Sequence, residues 1–125
     1  MEHLRILVVD DEPDLLEMLA LRLERAGFLV SRATDPFEGL ALAKTIRHHA
    51  ILLDVSMPGM DGWEFCRRSR AEIASPPPVL MMTAWQSSDL AHRAHAAGAS
   101  GIVIKPFDEK EVVVAVGALA EAAHG

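Results

Sequence analysis

The sequence predicts an α/β fold of the doubly wound kind, a five-stranded parallel sheet with helices on both faces built from five βα units. Three observations carry that expectation. Short aliphatic runs alternate with longer amphipathic stretches along all 125 residues, the pattern of repeated strand and crossover-helix units. Residues 4–9 are a near-continuous run of aliphatic side chains, as a strand covered on both faces requires. Helix signals recur between such runs, with Pro13, Asp35-Pro36 and Asp108 at starts and Gly27 and Gly98 at ends.

Taken in order, residues 4–9 make the first strand, which stops at Asp10. Pro13 suits a first helical turn, where its missing N–H costs nothing. Leu15, Leu16, Leu19, Leu23 and Ala26 then recur at helical spacing up to a Gly27 cap. Residues 28–33 form the second strand, followed by a helix from Asp35-Pro36 with Leu40, Ala41 and Ala43 facing inward. Residues 50–53 form the third strand. Pro58-Gly59 and Asp61-Gly62 punctuate the next loop, and 63–70 is a short helix. Ser75-Pro76-Pro77-Pro78 reads as a stiff connector inside the domain, because the piece after it is too small to fold alone. Residues 79–82 form the fourth strand, 87–97 a helix closed by Gly98, 101–104 the fifth strand, and 108–122 a helix opened by Asp108.

A chain of this length suits one domain, spanning 1–125. Half of the residues are apolar and 24% are charged, a folded rather than a disordered profile. The net charge of −6 and the lack of a Lys/Arg block argue against direct nucleic-acid binding. No apolar run approaches the ~18 residues of a membrane span, so no membrane association is expected. The N-terminus turns acidic after a short apolar run, unlike a signal or transit peptide. Cys66 is the sole cysteine; it excludes an internal disulfide and suits a reducing, cytoplasmic setting, with burial as its expected role.

Functional groups of such sheets gather outside the carboxyl ends of the strands. Here those ends offer Asp10 and Asp11, Asp54, Thr83 and Lys105. Three convergent carboxylates repel one another and call for a cation; oxygen-only donors point to Mg²⁺ or Mn²⁺ rather than zinc. His92 and His95, three apart on a helix, and His48-His49 in a turn lack a completing ligand set and read as solvated. Met57, Met60, Met81 and Met82 read as loop and core packing.

The stretches ILVVDDEP at 6–13, LLDVSMPGMDGWEF at 52–65, MMTAW at 81–85 and AGASGIVIKPF at 97–107 together resemble the receiver domains of bacterial two-component response regulators, of the single-domain chemotaxis-regulator kind. The resemblance covers essentially the whole chain and implies a flavodoxin-like (βα)5 fold. It implies that Asp54 accepts a phosphoryl group from a sensor histidine kinase or a histidine phosphotransfer protein, forming an acyl phosphate. By the same resemblance Asp11, Asp54 and the backbone carbonyl of Ser56 would ligate Mg²⁺, with Asp10 acting mainly through water. Thr83 and the backbone N–H of Ala84 would contact phosphoryl oxygens, and Lys105 would pair with the phosphoryl group or, before transfer, with Asp54. The Lys105–Pro106 bond would be the family's cis peptide. Such a domain is not an enzyme beyond its own phosphorylation and dephosphorylation, and its downstream protein target would bind the face made by 87–97, 101–105 and 108–122.

Departures from the family matter as well. Ile102 stands three residues before the lysine, where most members carry Tyr or Phe, so a swing of an aromatic ring is not available. Activation is then expected in the loop from Thr83 to Gln86, with Trp85 moving. Ser56 and Trp85 sit where the family tunes loss of the phosphoryl group. Trp63 and Trp85 are expected in loops beside the site, as fluorescence reporters of metal. Two other classes share parts of this pattern. An Asp-nucleophile phosphatase wants D-x-D after the first strand, whereas Ser56 follows Asp54 by two; a flavin binder would meet phosphate repulsion from Asp10, Asp11 and Glu12. The same module cut from a longer transcription regulator or hybrid kinase would read identically.

Overall fold

The computed structural model describes residues 3–84 and 89–124. The elements run β1 (Arg5–Val9), α1 (Pro13–Arg25), β2 (Leu29–Ala33), α2 (Pro36–Thr45), β3 (Ala50–Asp54), α3 (Gly62–Glu72), β4 (Val79–Thr83), α4 (Leu90–Ala97), β5 (Gly101–Ile104) and α5 (Glu109–His124). All five strands are parallel, in the order β2-β1-β3-β4-β5. The doubly wound architecture is the one the sequence implies.

Alternation along each strand divides the core in two. Leu7, Val9, Ile51, Leu53 and Met81 point to the layer of α2, α3 and α4 and meet Leu40, Phe65 and Ala94. Ile6, Val8, Leu52 and Met82 point to α1 and α5 and meet Leu16, Leu19, Leu23, Val112 and Val116. Strands buried on both faces explain the uninterrupted aliphatic runs, each fully buried Leu or Ile being worth about 1.5–3 kcal/mol.

The helix ends show their local causes. Beyond α1, Gly27 donates to the Glu24 carbonyl and Phe28 to the Leu23 carbonyl, and Gly27 has φ +103°, so the chain leaves through a left-handed turn. Ala26 is itself the C-cap residue and is exposed. Ala41 is likewise exposed, not inward as expected; the buried face of α2 runs through Pro36, Gly39, Leu40 and Ala43, and Ala41 is turned about 100° away from Leu40. Asp35 and Asp61 cap α2 and α3 by accepting from the Glu38 and Glu64 N–H groups at 2.8 and 2.9 Å. Asp108 precedes α5 and accepts from the Lys110 N–H at 2.9 Å. The described part of the fourth helix begins at Leu90; Ser87, its expected start, lies outside the described residues.

The paired histidines differ from the solvated reading. His48 and His49 are only 5% and 7% exposed. His48 Nε2 bonds the Ser31 hydroxyl at 2.8 Å, and His49 Nδ1 accepts from the Arg5 N–H at 3.0 Å. They sit immediately before β3, where the sheet must be entered from the bottom, and so face neighbouring strands rather than water. His92 and His95 are exposed. Met57, Met60, Met81 and Met82 are buried. Cys66 is a buried free thiol, and its burial pushes the thiol up to about 12, leaving it protonated and inert. Among the described residues no helix is long and apolar enough to cross a membrane.

Candidate functional site

Parallel strands place the ends of β1, β3, β4 and β5 on one rim. Asp10 follows β1, Asp54 closes β3, Thr83 closes β4 and Lys105 follows β5. Main-chain hydrogen bonds fix these ends to one another: Val55 N–H to the Met82 carbonyl at 2.9 Å, and Lys105 N–H to the Thr83 carbonyl at 2.7 Å. Asp10, Asp54 and Thr83 are buried, at 0%, 3% and 0% exposure, whereas Asp11, Ser56 and Ala84 are exposed at the mouth.

The carboxylates converge as expected. One oxygen each from Asp10, Asp11 and Asp54 lies within 4.8 Å of the others. Asp10 Oδ1 accepts from the Glu12 N–H at 2.9 Å and Asp54 Oδ1 from the Ser56 N–H at 3.0 Å. Those bonds orient each carboxylate and leave Oδ2 of both toward Lys105, whose Nζ stands 3.7 Å from Asp54 and 4.0 Å from Asp10. The Lys105–Pro106 peptide is cis.

One ammonium does not satisfy this cluster. Asp10 Oδ2 is buried with no hydrogen-bond partner. Burial, reinforced by the nearby Asp54 charge, raises the Asp10 carboxyl to about 6 against the pull of the Glu12 N–H and Lys105. Burial likewise raises Asp54, with the Ser56 N–H and Lys105 opposing and the Asp11 charge adding to it. An orphaned buried oxygen beside two reluctant carboxylates fits a hard divalent cation, which prefers oxygen donors and keeps several waters. The donor set, free of His and Cys, fits Mg²⁺ or Mn²⁺ and does not fit zinc.

Several residues stand differently from expectation or were missed. Trp63 is not in a loop: it lies in the first turn of α3, is 6% exposed and packs in the core. Trp85 and Gln86 lie outside the described residues. Ile102 is half-buried and packs on the core layer of α2, α3 and α4. Gly62, read from sequence only as punctuation, is where α3 meets the end of β3. A Cβ there would lie 2.7 Å from the Val55 Cα and 3.3 Å from the Asp54 carbonyl, and the Gly62 N–H donates to the Val55 carbonyl at 2.8 Å. The Asp-Gly pair was the available signal, its Gly serving close approach rather than turn geometry. Gly62→Ala is therefore expected to cost about 1–3 kcal/mol by overpacking, read as a lower urea midpoint; an unchanged midpoint would show that the loop yields freely.

The chain matches the family model described as "Response regulator receiver domain" over residues 6–117. It is 37% identical over 116 residues to the DNA-binding dual master transcriptional regulator RpaA of Synechocystis sp., covering 92% of this chain and 48% of that protein. It is 40% identical over 112 residues to the DNA-binding response regulator MtrA of Mycolicibacterium smegmatis, covering 90% and 48% respectively. The chain thus spans about half the length of the curated relatives it matches. Among solved structures, the chemotaxis response regulator CheY4 of Vibrio cholerae superposes with a TM-score of 0.85 at 32% identity, covering 94% of this chain and 99% of that one. With the family matched from the first strand into the last helix, and the carboxylates and lysine of its motifs gathered on one rim, this chain belongs to the response regulator receiver domains.

Proposed function

We propose that residues 1–125 act as a phosphoacceptor module, with Asp54 taking a phosphoryl group from the phosphohistidine of a sensor kinase or a phosphotransfer protein. The observation that carries this reading is the buried Asp54 carboxylate held between Lys105 at 3.7 Å and the Asp10 and Asp11 oxygens. A carboxylate oxygen attacks phosphorus, the P–N bond to the donor imidazole breaks, and the imidazole leaves with the electron pair, giving an acyl phosphate. Lys105 neutralises charge on the transferred group, and the Thr83 hydroxyl and Ala84 N–H are assigned to its oxygens. The Ser56 N–H keeps one Asp54 oxygen engaged at 3.0 Å, so the other is left to react. Asp10, Asp11, Asp54 and the Ser56 carbonyl would hold Mg²⁺, which supplies the positive charge that the carboxylates and the incoming phosphoryl oxygens share.

Incubation with acetyl phosphate and Mg²⁺ tests the reading by intact mass; a labile gain of one phosphoryl unit is expected, and no gain would exclude it. Metal binding should depend on Asp11 more than on Asp10, because the family resemblance has Asp11 ligating the ion directly and Asp10 acting mainly through water. A titration in which Asp10→Ala and Asp11→Ala lose affinity equally would overturn that ranking.

The expected output surface is the face of α4, β5 and α5, where Ile104 and Val114 are exposed at 41% and 72%. The proposal of no direct nucleic-acid contact is confined to these 125 residues, since relatives of about twice the length are DNA-binding regulators. That half-length match favours a second reading, in which the same module governs an attached DNA-binding unit. A reducing cytoplasm suits the lone buried thiol.

A further inference from the structure

The seam between α3 and α4 carries a charge opposite to that of the molecule. Two hollows of about 350 and about 450 Å³ follow one another along this helix pair. Arg67 and Arg93 line the first and Arg70 the second, on a chain whose net charge is −6. The guanidinium of Arg93 lies 5.0 Å from the centroid of the Trp63 ring, a cation–π contact that holds this long side chain in place before any partner arrives. Arg70 lies across Gly98 so closely that no Cβ would fit beneath it. Among the described lining residues Asp61 is the one carboxylate, and it is engaged in capping α3; Glu64 beside them meets Arg67 at 3.4 Å in an exposed pair that a partner carboxylate exchanges at little cost.

A second observation points to the same seam. Four buried side-chain polar atoms lack a hydrogen-bond partner among the described residues, and two of them, Trp63 Nε1 and Ser69 Oγ, belong to residues lining these hollows. Beside Arg93, Ala96 and Ala97 are the small α4 residues of the first hollow, while His95 of α4 lines the second. We infer that the α3–α4 seam is a docking surface for an acidic protein segment, its Asp and Glu side chains meeting Arg67, Arg70 and Arg93. This surface shares α4 with the α4-β5-α5 face but extends from it onto α3 rather than β5, and the inference does not rest on phosphorylation of Asp54. Three guanidinium groups on an acidic chain are too few to track a phosphate backbone, which favours protein over nucleic acid.

The test is a titration of the ¹⁵N-labelled full chain with a Glu-rich, helix-forming peptide of about 15 residues. Amide shifts are expected on α3 and α4, with affinity falling about tenfold or more as salt rises from about 0.05 to about 0.5 M. Arg67→Glu combined with Arg93→Glu should weaken binding by at least about tenfold, while Arg22→Glu with Arg25→Glu on α1, an equal change of charge, should leave it within about twofold. Should reversal at Arg93 disturb Trp63, the exposed pair Arg67→Ala and Arg70→Ala gives the same reading. Shifts confined to other surfaces, equal losses in the α1 control, equally tight binding of single-stranded DNA, or peptide-independent shifts that track self-association would each overturn the inference.

Discussion

Asp54→Asn is expected to abolish phosphoryl uptake while leaving the protein more stable in the absence of metal. The amide keeps the shape of the side chain and its oxygen can still accept from the Ser56 N–H, which lies 3.0 Å from Asp54 Oδ1. It has no charge with which to attack phosphorus, so labelling by acetyl phosphate should fall by about a thousandfold or more. The stability gain follows from the electrostatics. Burial holds the Asp54 carboxyl above its ordinary value, which means that the ionised form is disfavoured in the fold. Removing a charge from that crowded pair should stabilise the metal-free protein by about 1 kcal/mol. Intact mass and urea unfolding on the same sample separate lost chemistry from lost structure. Mg²⁺-dependent phosphorylation in the variant would refute the assignment of Asp54, and a markedly lower urea midpoint would refute the electrostatic account.

The second large effect concerns acid. Burial, helped by the charges of Arg5 and His49 and opposed by a backbone hydrogen bond at Ile46, holds His48 down to about 4 from an ordinary 6.5. Between those values the unfolded chain carries a proton on this ring that the folded chain does not, so stability rises with pH across that window. It is complete above about 6.5 and lost as pH falls through about 4. The difference corresponds to about 3 kcal/mol. Asp10 works in the other direction: raised from 3.8 to about 6, it holds a proton in the fold that the unfolded chain has released, and stability falls as pH rises through that range. Asp54, also raised by burial, adds to Asp10, so the stability of the metal-free protein should not climb with pH between about 4 and 6.5, the two carboxyls together offsetting or outweighing the histidine. In an Asp10→Asn/Asp54→Asn background the histidine should stand alone, with stability climbing by about 3 kcal/mol from pH 4 to 6.5. Adding His48→Gln, which can keep a bond to the Ser31 hydroxyl, should flatten the climb; an unchanged slope would clear His48 of the effect.

What could be read from the sequence follows from where each signal is local. Strand runs such as 4–9 and end signals such as Gly27 and Asp61 are governed by the residues themselves and their immediate neighbours, and the elements they mark are present. The rim carboxylates were legible because topology, once five βα units are recognised, forces strand ends together. His48 and His49 were not legible: two polar rings beside Arg47 look like a solvated turn, and only the register of β1, β2 and β3 shows that Ser31 and the Arg5 N–H await them. Trp63 opens the expected 63–70 helix but is not the loop reporter beside the site, because the α3 cap turns its ring at once into the core. The role of Gly62 was hidden because a contact with the Val55 Cα is a property of the packed chain.

The hydrogen bond from the Lys105 N–H to the Thr83 carbonyl, at 2.7 Å, has a consequence for genetics. Both partners are main-chain atoms, so no exchange of side chains short of proline at 105 deletes the bond. Ile102, half-buried and without a polar atom, offers no hydroxyl or ring whose loss would register in its place. An alanine scan of β4 and β5 would accordingly be blind to this link between the threonine and the lysine of the rim, and could report a silent sheet edge where the two strands are in fact tied. An ester replacing the peptide N–H of residue 105, installed by chemical ligation, would make that link visible.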